Sequence, residues 1–354
     1  MPRLSATESI NPAFERVKMM LFRPFRFTTW VKLGFIGWLA GAGTSMNFNF
    51  NAPSLPAQDG GGAAGNAGEV FRTFLHEHLL LIVFIVAFMI GVALLLVYLS
   101  CRFRFILFDS VLRADAQIGR GWRLYGPQAQ RYLGFLVLFM VILWVSLAVL
   151  VGLPLWHAYK TGVFGSSNPF PALLRIFLPL LLVVVLLVFV SAIVASLAND
   201  FIVPLLALDE LTIGDAWSAL KRLVSAEPGA FAGYLGMKLV LALGSGIFVG
   251  VILILALVVL LIPAALIAVA GYGIAKALGP GVGLLLAAIG ILAGGALLIT
   301  LILLATAPIA VFFTAYAVYF FGGRYPKLGS LLWPEPMPPP PAPSTSPVPA
   351  PPMP

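Results

Sequence analysis

The sequence predicts an all-α protein, a bundle of helices that crosses a membrane several times. Hydrophobic residues make up 61% of its 354 residues and charged residues only 10%, and its mean hydropathy is +1.04. Soluble domains carry about 25% charged residues, so this composition excludes a soluble globular protein. Uncharged segments of about 20 residues recur along the chain, and a segment of that length crosses the hydrocarbon core as an α-helix.

Six segments are predicted to cross the membrane. Residues 79–99 are the plainest because they carry no charge, and residues 28–46 are the weakest because they include Lys32 and several glycines. The basic leader and Ala40-Gly41-Ala42 are also typical of a signal peptide, but the length of the leader and the interruption by Lys32 favour retention. The last two spans are longer than one crossing needs, so they must tilt, kink or extend past the headgroups. The predicted spans are residues 28–46, 79–99, 132–153, 176–198, 234–262 and 284–321.

The predicted membrane domain comprises residues 28–333, with a short segment on each side. Residues 1–27 are predicted to be a cytoplasmic amphipathic segment. Residues 334–354 are rich in proline, so they are predicted to form a disordered tail. Within the domain, the glycines of residues 244–250 are predicted to let two helices approach closely.

Lysine and arginine residues mark one side of the membrane. They are concentrated before the first predicted span, between the second and third, between the fourth and fifth, and after the sixth. Cytoplasmic loops carry such an excess, so both termini are predicted to be cytoplasmic, in a bacterial inner membrane. The net charge of +8 does not indicate a nucleic-acid partner, because the cations lie beside apolar spans rather than on a soluble basic face.

An internal repeat predicts three hairpin units. Two segments, which precede the third and the fifth span, match at several positions, and the N-terminal segment is a looser third copy with Lys32 and Lys238 in equivalent places. Each unit is predicted to contain a cytoplasmic interfacial amphipathic helix and two spans. The matching positions are Phe105-Ile106 with Phe201-Ile202, Ile118-Gly119 and Trp122 with Ile213-Gly214 and Trp217, and Tyr132-Leu133-Gly134 with Tyr234-Leu235-Gly236.

The predicted interfacial helices carry cations beside an apolar face. In the third unit Trp217 lies on the apolar face, with Lys221 and Arg222 beside it, and Arg16 and Lys18 lie in the helix before the first span. Such helices either lie in the headgroup layer near anionic lipid or pack on neighbouring protein, and amphipathicity alone does not separate these alternatives. The expected partners are anionic membrane lipids, an envelope protein or a second copy of the chain.

The segment FIVPLLALDELTIGDAWSALKRL, residues 201–223, resembles a motif of bacterial and archaeal membrane families of unknown function. These include the membrane domain that precedes some glycerophosphodiester phosphodiesterases. The phosphodiesterase's catalytic barrel has no counterpart here, since no soluble stretch is long enough to form it, so the resemblance implies an architecture and no activity. The matching positions are Pro204, Asp209 or Glu210, Gly214, Ala216 and Leu220.

Five positions inside or beside the predicted spans are candidate functional residues: Lys32, Lys238, Asp200, Pro204 and Pro308. Charged residues within a membrane mark functional sites unless a long side chain carries the charge to the interface, and both lysines lie near a span end. Asp200 either pairs with Lys238 across the bundle or remains in water at the membrane surface. The two prolines either free backbone carbonyls for an ion or only kink their helices.

The sequence contains no recognisable catalytic triad, phosphate loop or metal-ligand cluster, so no enzyme of familiar type, cofactor or metal is expected. The leading hypothesis is a non-enzymatic inner-membrane protein that interacts with lipid or with an envelope protein. A small-molecule or lipid transporter is the alternative, and it requires a polar or lipid-sized cavity at mid-membrane. A membrane-embedded lipid enzyme is a third hypothesis, which requires polar groups such as Asp200 and Lys238 to converge in a pocket.

Overall fold

The computed structural model describes residues 3–41, 64–163 and 170–334. The secondary-structure elements of these residues are helices. All but the first residue of the predicted proline-rich tail, and much of the segment between the first and second predicted spans, lie outside these residues. The helices are α1 (Ile10–Leu21), α2 (Phe27–Ala40), α3 (Ala64–Arg113), α4 (Ile118–Leu124), α5 (Gly126–Lys160), α6 (Phe170–Leu197), a π-helical turn (Ala198–Ile202), α7 (Val203–Asp209), α8 (Ile213–Ala226), α9 (Pro228–Leu278), α10 (Pro280–Gly322) and α11 (Pro326–Leu332).

Five helices of the described chain are long and apolar enough to cross a membrane. The second to sixth predicted spans fall within them, so the sequence prediction of a helical membrane protein is confirmed. α9 and α10 extend over 51 and 43 residues, and they meet at Gly279, whose φ of +100° only glycine adopts readily. The five stretches are Glu77–Arg113, Gly126–Lys160, Leu174–Asp209, Pro228–Ile274 and Gly281–Gly322.

The first predicted span, residues 28–46, is not among these five. Its described part is α2, which has 14 residues and is therefore about 21 Å long, shorter than a hydrocarbon core of ~30 Å. A Cβ atom at Gly34 would lie 2.1 Å from the carbonyl oxygen of Leu303, and one at Gly37 would lie 2.3 Å from Cβ of Ala310. The contacts thus advance in the same direction along α2 and α10, whereas a first and a sixth span would run in opposite directions.

The buried side chains gather at one end of the long helices. This packed end comprises residues 3–41, 98–136, 196–238 and 303–333. Aromatic rings fill it, and Phe201 alone lies 5.3 Å from Phe231, 5.1 Å from Tyr234 and 5.0 Å from Phe321, measured between ring centroids. Such edge and tilted contacts add to the free energy of burial.

Beyond the packed end the long helices expose apolar side chains. Leu182 on α6, Ile247 on α9 and Leu284 on α10 are each at least 70% exposed. Continuous exposed apolar surface is not stable in water, and it is the surface expected of helices surrounded by lipid.

Ion pairs and a hydrogen bond hold the first described residues against the end of α10. Arg324 donates from Nε to Glu227 at 2.9 Å and from Nη1 to the carbonyl oxygen of Leu4 at 3.0 Å. Arg3 forms a second ion pair with Glu227 at 2.9 Å. The N-terminal residues and the C-terminal end of α10 therefore lie on the same side of the molecule.

Candidate functional site

The packed end contains a cavity of about 150 Å³ where four of the five long helical stretches meet the end of α2. Three of the residues that the sequence predicted as functional, Asp200, Pro204 and Lys238, line it. Lys32 and Pro308 are not among the lining residues: Lys32 is exposed on α2, and α10 continues as a helix through Pro308. The polar or charged lining residues are Arg104, Asn199, Asp200, Lys238 and Thr314.

Asp200 and Lys238 form an ion pair across the cavity wall. The same carboxylate oxygen, Oδ2, accepts hydrogen bonds from the Tyr234 hydroxyl at 2.9 Å and from the Ser196 hydroxyl at 3.2 Å. Lys238 Nζ also donates to Ser196 Oγ at 2.8 Å. Of the two interpretations of Asp200 that the sequence left open, the structure therefore supports the paired carboxylate rather than a free one in water.

Arg104 is the centre of a second group of polar contacts in the cavity lining. Its Nε donates to the carbonyl oxygen of Ala40 at 2.9 Å, and its Nη1 donates to the Tyr132 hydroxyl at 3.3 Å and to Asn199 Oδ1. Ala40 is the last residue of α2, and the last carbonyls of a helix have no partner within the helix. All three partners of the guanidinium are therefore neutral groups.

The sequence interpretation missed Arg104 because it counted this residue with the cations that set membrane orientation. The repeat predicted from the sequence contained the signal. When Phe105 is aligned with Phe201, Arg104 falls opposite Asp200, and their hydrogen-bonded tyrosines, Tyr132 and Tyr234, are also aligned.

The turn that carries Asn199 and Asp200 is π-helical and directly precedes Pro204. Proline lacks the N–H that would bond the carbonyl four residues earlier, which belongs to Asp200. In this wider turn the Val203 N–H donates to the carbonyl of Ala198. Single π-helical turns occur frequently at functional sites, and this one places two consecutive polar residues on the cavity wall.

A stacked pair of tyrosines supports this wall. The rings of Tyr234 and Tyr316 are 5.0 Å apart and inclined by 9°. The Tyr316 hydroxyl is buried and has no hydrogen-bond partner in the described part of the chain. An unpaired buried hydroxyl costs free energy, so stacking and packing must hold Tyr316 in place.

The cations predicted on α1 are engaged with the protein itself. Arg16 donates to the carbonyl of Leu112 at 3.3 Å and lies 6.0 Å from the centre of the Tyr319 ring. Lys18 forms an ion pair with Glu15 at 2.8 Å. Arg16 thus binds α1 to α3 and α10.

A groove separates α8 from the end of α6. It has a volume of about 370 Å³. α8 begins at Thr212, whose hydroxyl accepts the Asp215 N–H at 3.3 Å as an N-cap. The helix buries Ala216 and Leu220 against the packed end but leaves Lys221 exposed. The groove is lined by Leu197, Trp217, Ser218, Leu220, Lys221, Val224 and Ser225.

Comparison with known proteins identifies a family but no activity. No curated protein and no solved structure matches the chain. A family of unknown function (DUF7544) matches residues 4–331, which include helices α1 to α10, most of α11 and both sites described above. This match gives no link to the membrane domain of glycerophosphodiester phosphodiesterases. The chain therefore belongs to the DUF7544 family of unknown function.

Proposed function

We propose that this protein is a non-enzymatic component of a bacterial inner membrane that binds anionic phospholipid at its packed end. The observation that carries the proposal is the groove beside α8, which combines an apolar floor with the exposed cation Lys221. A phospholipid presents the complementary pair of groups, an acyl chain and a phosphate.

The apolar floor continues into the lipid-facing surface of α6. Leu197, the last residue of α6, lines the groove, and Leu182 and Phe189 earlier in the helix are 70% and 56% exposed. An acyl chain that follows α6 thus enters the groove without crossing a polar surface. Burial of that chain contributes about 0.8 kcal/mol per CH₂ group.

The cations of α8 are placed to meet the phosphate. Lys221 and Arg222 are exposed, and neither makes an ion pair within the described residues. Each cation near an anionic membrane surface contributes about 1 kcal/mol. Trp217, at the same groove, is a residue type enriched at membrane interfaces.

This proposal places both termini in the cytoplasm. Six crossings in three hairpins stays a prediction from the sequence, and α2, which is short and runs in the same direction as α10, does not supply its first outward crossing. The contact between Leu4 and Arg324 supports an even number of crossings. The bias of Lys and Arg supports the cytoplasmic position of the packed end. An envelope protein or a second copy remains a predicted partner on the same exposed surfaces.

Charge reversal on α8 tests the proposal. We expect the double variant Lys221→Glu, Arg222→Glu to retain at least about tenfold less phosphatidylglycerol relative to phosphatidylcholine, because two attractive charges become repulsive. Native mass spectrometry of protein extracted from mixed vesicles measures the ratio. The matched control is Arg120→Glu, Arg123→Glu, which reverses two exposed charges on α4. An unchanged ratio in the α8 variant, or an equal loss in the control, would contradict the proposal.

A membrane-embedded lipid enzyme is the second candidate, and the convergence of Asp200, Lys238 and Tyr234 favours it. Turnover of a phospholipid by the purified protein, lost in Asp200→Asn, would replace the non-enzymatic proposal. The transporter hypothesis requires a cavity halfway along the spans. The polar cavity lined by Arg104, Asp200 and Lys238 lies at the packed end instead, so it does not meet that requirement.

A further inference from the structure

We propose that the polar cavity binds a phosphate group, either as inorganic phosphate or as the monoester headgroup of a lipid. This cavity is distinct from the α8 groove, and the proposal does not depend on lipid binding there. Three features of the cavity support this assignment: its net positive charge, its unused hydrogen-bond donors and the matching positions of the predicted repeat that line it.

The cavity wall carries one more positive charge than negative charge. Lys238 and Asp200 neutralise each other. Arg104 has only neutral partners, and no carboxylate of the described chain forms an ion pair with it. A partly buried cation without a counter-ion is unfavourable, so an anion in the cavity would stabilise the site.

Several donors on the wall have no partner in the ranges that the structure describes. They are Arg104 Nη2, Asn199 Nδ2 and the Thr314 hydroxyl, and the three residues line the cavity from α3, the π-helical turn and α10. Arg104 Nη2 lies beside Gly41, since a Cβ atom there would be 3.7 Å away. A tetrahedral oxyanion accepts hydrogen bonds from several directions at once, and Arg104 Nη2 offers it two N–H groups.

One acceptor on the wall distinguishes phosphate from other oxyanions. Asp200 Oδ2 takes all the hydrogen bonds described above, and Oδ1 takes none within the described chain. A phosphate monoester, whose second pKa is about 6, carries a proton in part of its population and donates it to such an oxygen. Sulfate carries no proton near neutral pH.

The internal repeat explains why the extra charge is present. Three helices each line the cavity with a set of three residues, and within each set the residues are at positions i, i+3 and i+4. In the segment that leads from Asp200 into the fifth span, Lys238 follows one turn after Tyr234 and supplies the counter-ion. In the matching segment that leads from Arg104 into the third span, the residue one turn after Tyr132 is Leu136, which supplies none. The three sets are Arg104, Leu107 and Phe108; Asp200, Val203 and Pro204; and Thr314, Ala317 and Val318.

The volume is sufficient for the ligand. The cavity measures about 150 Å³, and an apolar cavity of ~150 Å³ in another protein admits benzene. A phosphate group is smaller than benzene, so it enters together with a few waters or with the glycerol end of a lipid.

Thermal unfolding of the full-length protein in phosphatidylcholine nanodiscs tests the proposal, because a ligand of the folded state raises Tm by mass action. We expect inorganic phosphate to raise the Tm of the wild type saturably, and sulfate at equal ionic strength to raise it less. Arg104→Gln loses the response. The matched control Arg102→Gln, on the same helix but outside the cavity lining, retains it.

A second arm identifies the source of the phosphate. If a lipid supplies it, phosphatidic acid in the nanodiscs abolishes the effect of added phosphate. In the Lys221→Glu, Arg222→Glu background, which removes the contribution of the α8 groove, phosphatidic acid still raises the Tm, and the additional substitution Arg104→Gln abolishes that rise. Lys221→Glu, Arg222→Glu retains the response in both arms, which separates this site from the α8 groove. The proposal is overturned if the wild type responds in neither arm, if Arg104→Gln responds equally, or if sulfate and chloride act as strongly as phosphate.

Thr314→Val provides the test if Arg104→Gln does not fold. The substitution keeps the shape of the side chain and removes one donor, so it weakens phosphate binding about tenfold while the Tm without phosphate stays near that of the wild type. Unchanged affinity in Thr314→Val would count against the site.

Discussion

Lys238 illustrates how single residues stabilise the packed end. It contacts the carboxylate of Asp200 and the hydroxyl of Ser196, both about ten helical turns away along the chain. The side chains of Lys238 and Asp200 are only 21% and 11% exposed, so water screens the pair little. Removal of one partner would leave the other charge buried and unpaired.

We therefore expect Lys238→Met to lower the free energy of unfolding by about 3 kcal/mol. Unfolding in mixed detergent micelles, followed by circular dichroism, measures the change. The double variant Lys238→Met, Asp200→Asn removes both charges, and it should recover most of the loss. Equal stability of Lys238→Met and the wild type would show that water or another group replaces the lysine.

At the scale of single elements, the close approach of α2 to α10 depends on two glycines. Gly34 and Gly37 face the backbone of Leu303 and the side chain of Ala310 without room for a Cβ atom. The sequence interpretation placed close helix contacts at Gly244, Gly246 and Gly250 instead. The structure has no atom within 4 Å of a Cβ built at any of these three, so that prediction is wrong for the contacts described here.

The variants Gly34→Ala and Gly244→Ala should consequently have opposite effects. Gly34→Ala forces α2 away from α10 and should cost about 1–3 kcal/mol of stability. Gly244→Ala adds a methyl group in open space, where alanine is the better helix former by up to about 1 kcal/mol. The same micelle unfolding assay compares them, and a similar effect of both substitutions would contradict the packing of α2.

At the scale of the whole molecule, the first and the last described residues lie together at the packed end. Arg324 contacts both Leu4 and Glu227, and Lys327 contacts Asp209. The five long helices extend away from this end, so their opposite ends, such as that of α5 at Lys160, lie on the other side of the molecule.

Cysteine labelling in sealed vesicles tests this arrangement. In a Cys101→Ser background, an impermeant thiol reagent should modify Ser5→Cys and Ser330→Cys from one side and Thr161→Cys from the other. All three positions are exposed, and the native Cys101 is buried. Labelling of positions 5 and 330 from opposite sides would show an odd number of crossings.

The sequence by itself determined that the protein is helical, that it is embedded in a membrane and where five of its long helices lie. Those features follow from local hydropathy, because a span must be apolar over its whole length whatever its neighbours are. It also selected Asp200 and Lys238, since a charge beside a span is rare, and Pro204, since proline interrupts the hydrogen bonds of a helix. By the same criteria it selected Lys32 and Pro308, which do not line the cavity.

Only the tertiary structure decided which of these groups meet. Asn199 lies 95 residues from Arg104, and Lys238 lies 38 residues from Asp200, so no local pattern links them. Their contact depends on the rotation and depth of each helix, which packing at positions such as Gly34 and the π-helical turn before Pro204 sets. The charge of a cavity is a sum over helices that are distant in sequence, and folding alone brings its members together.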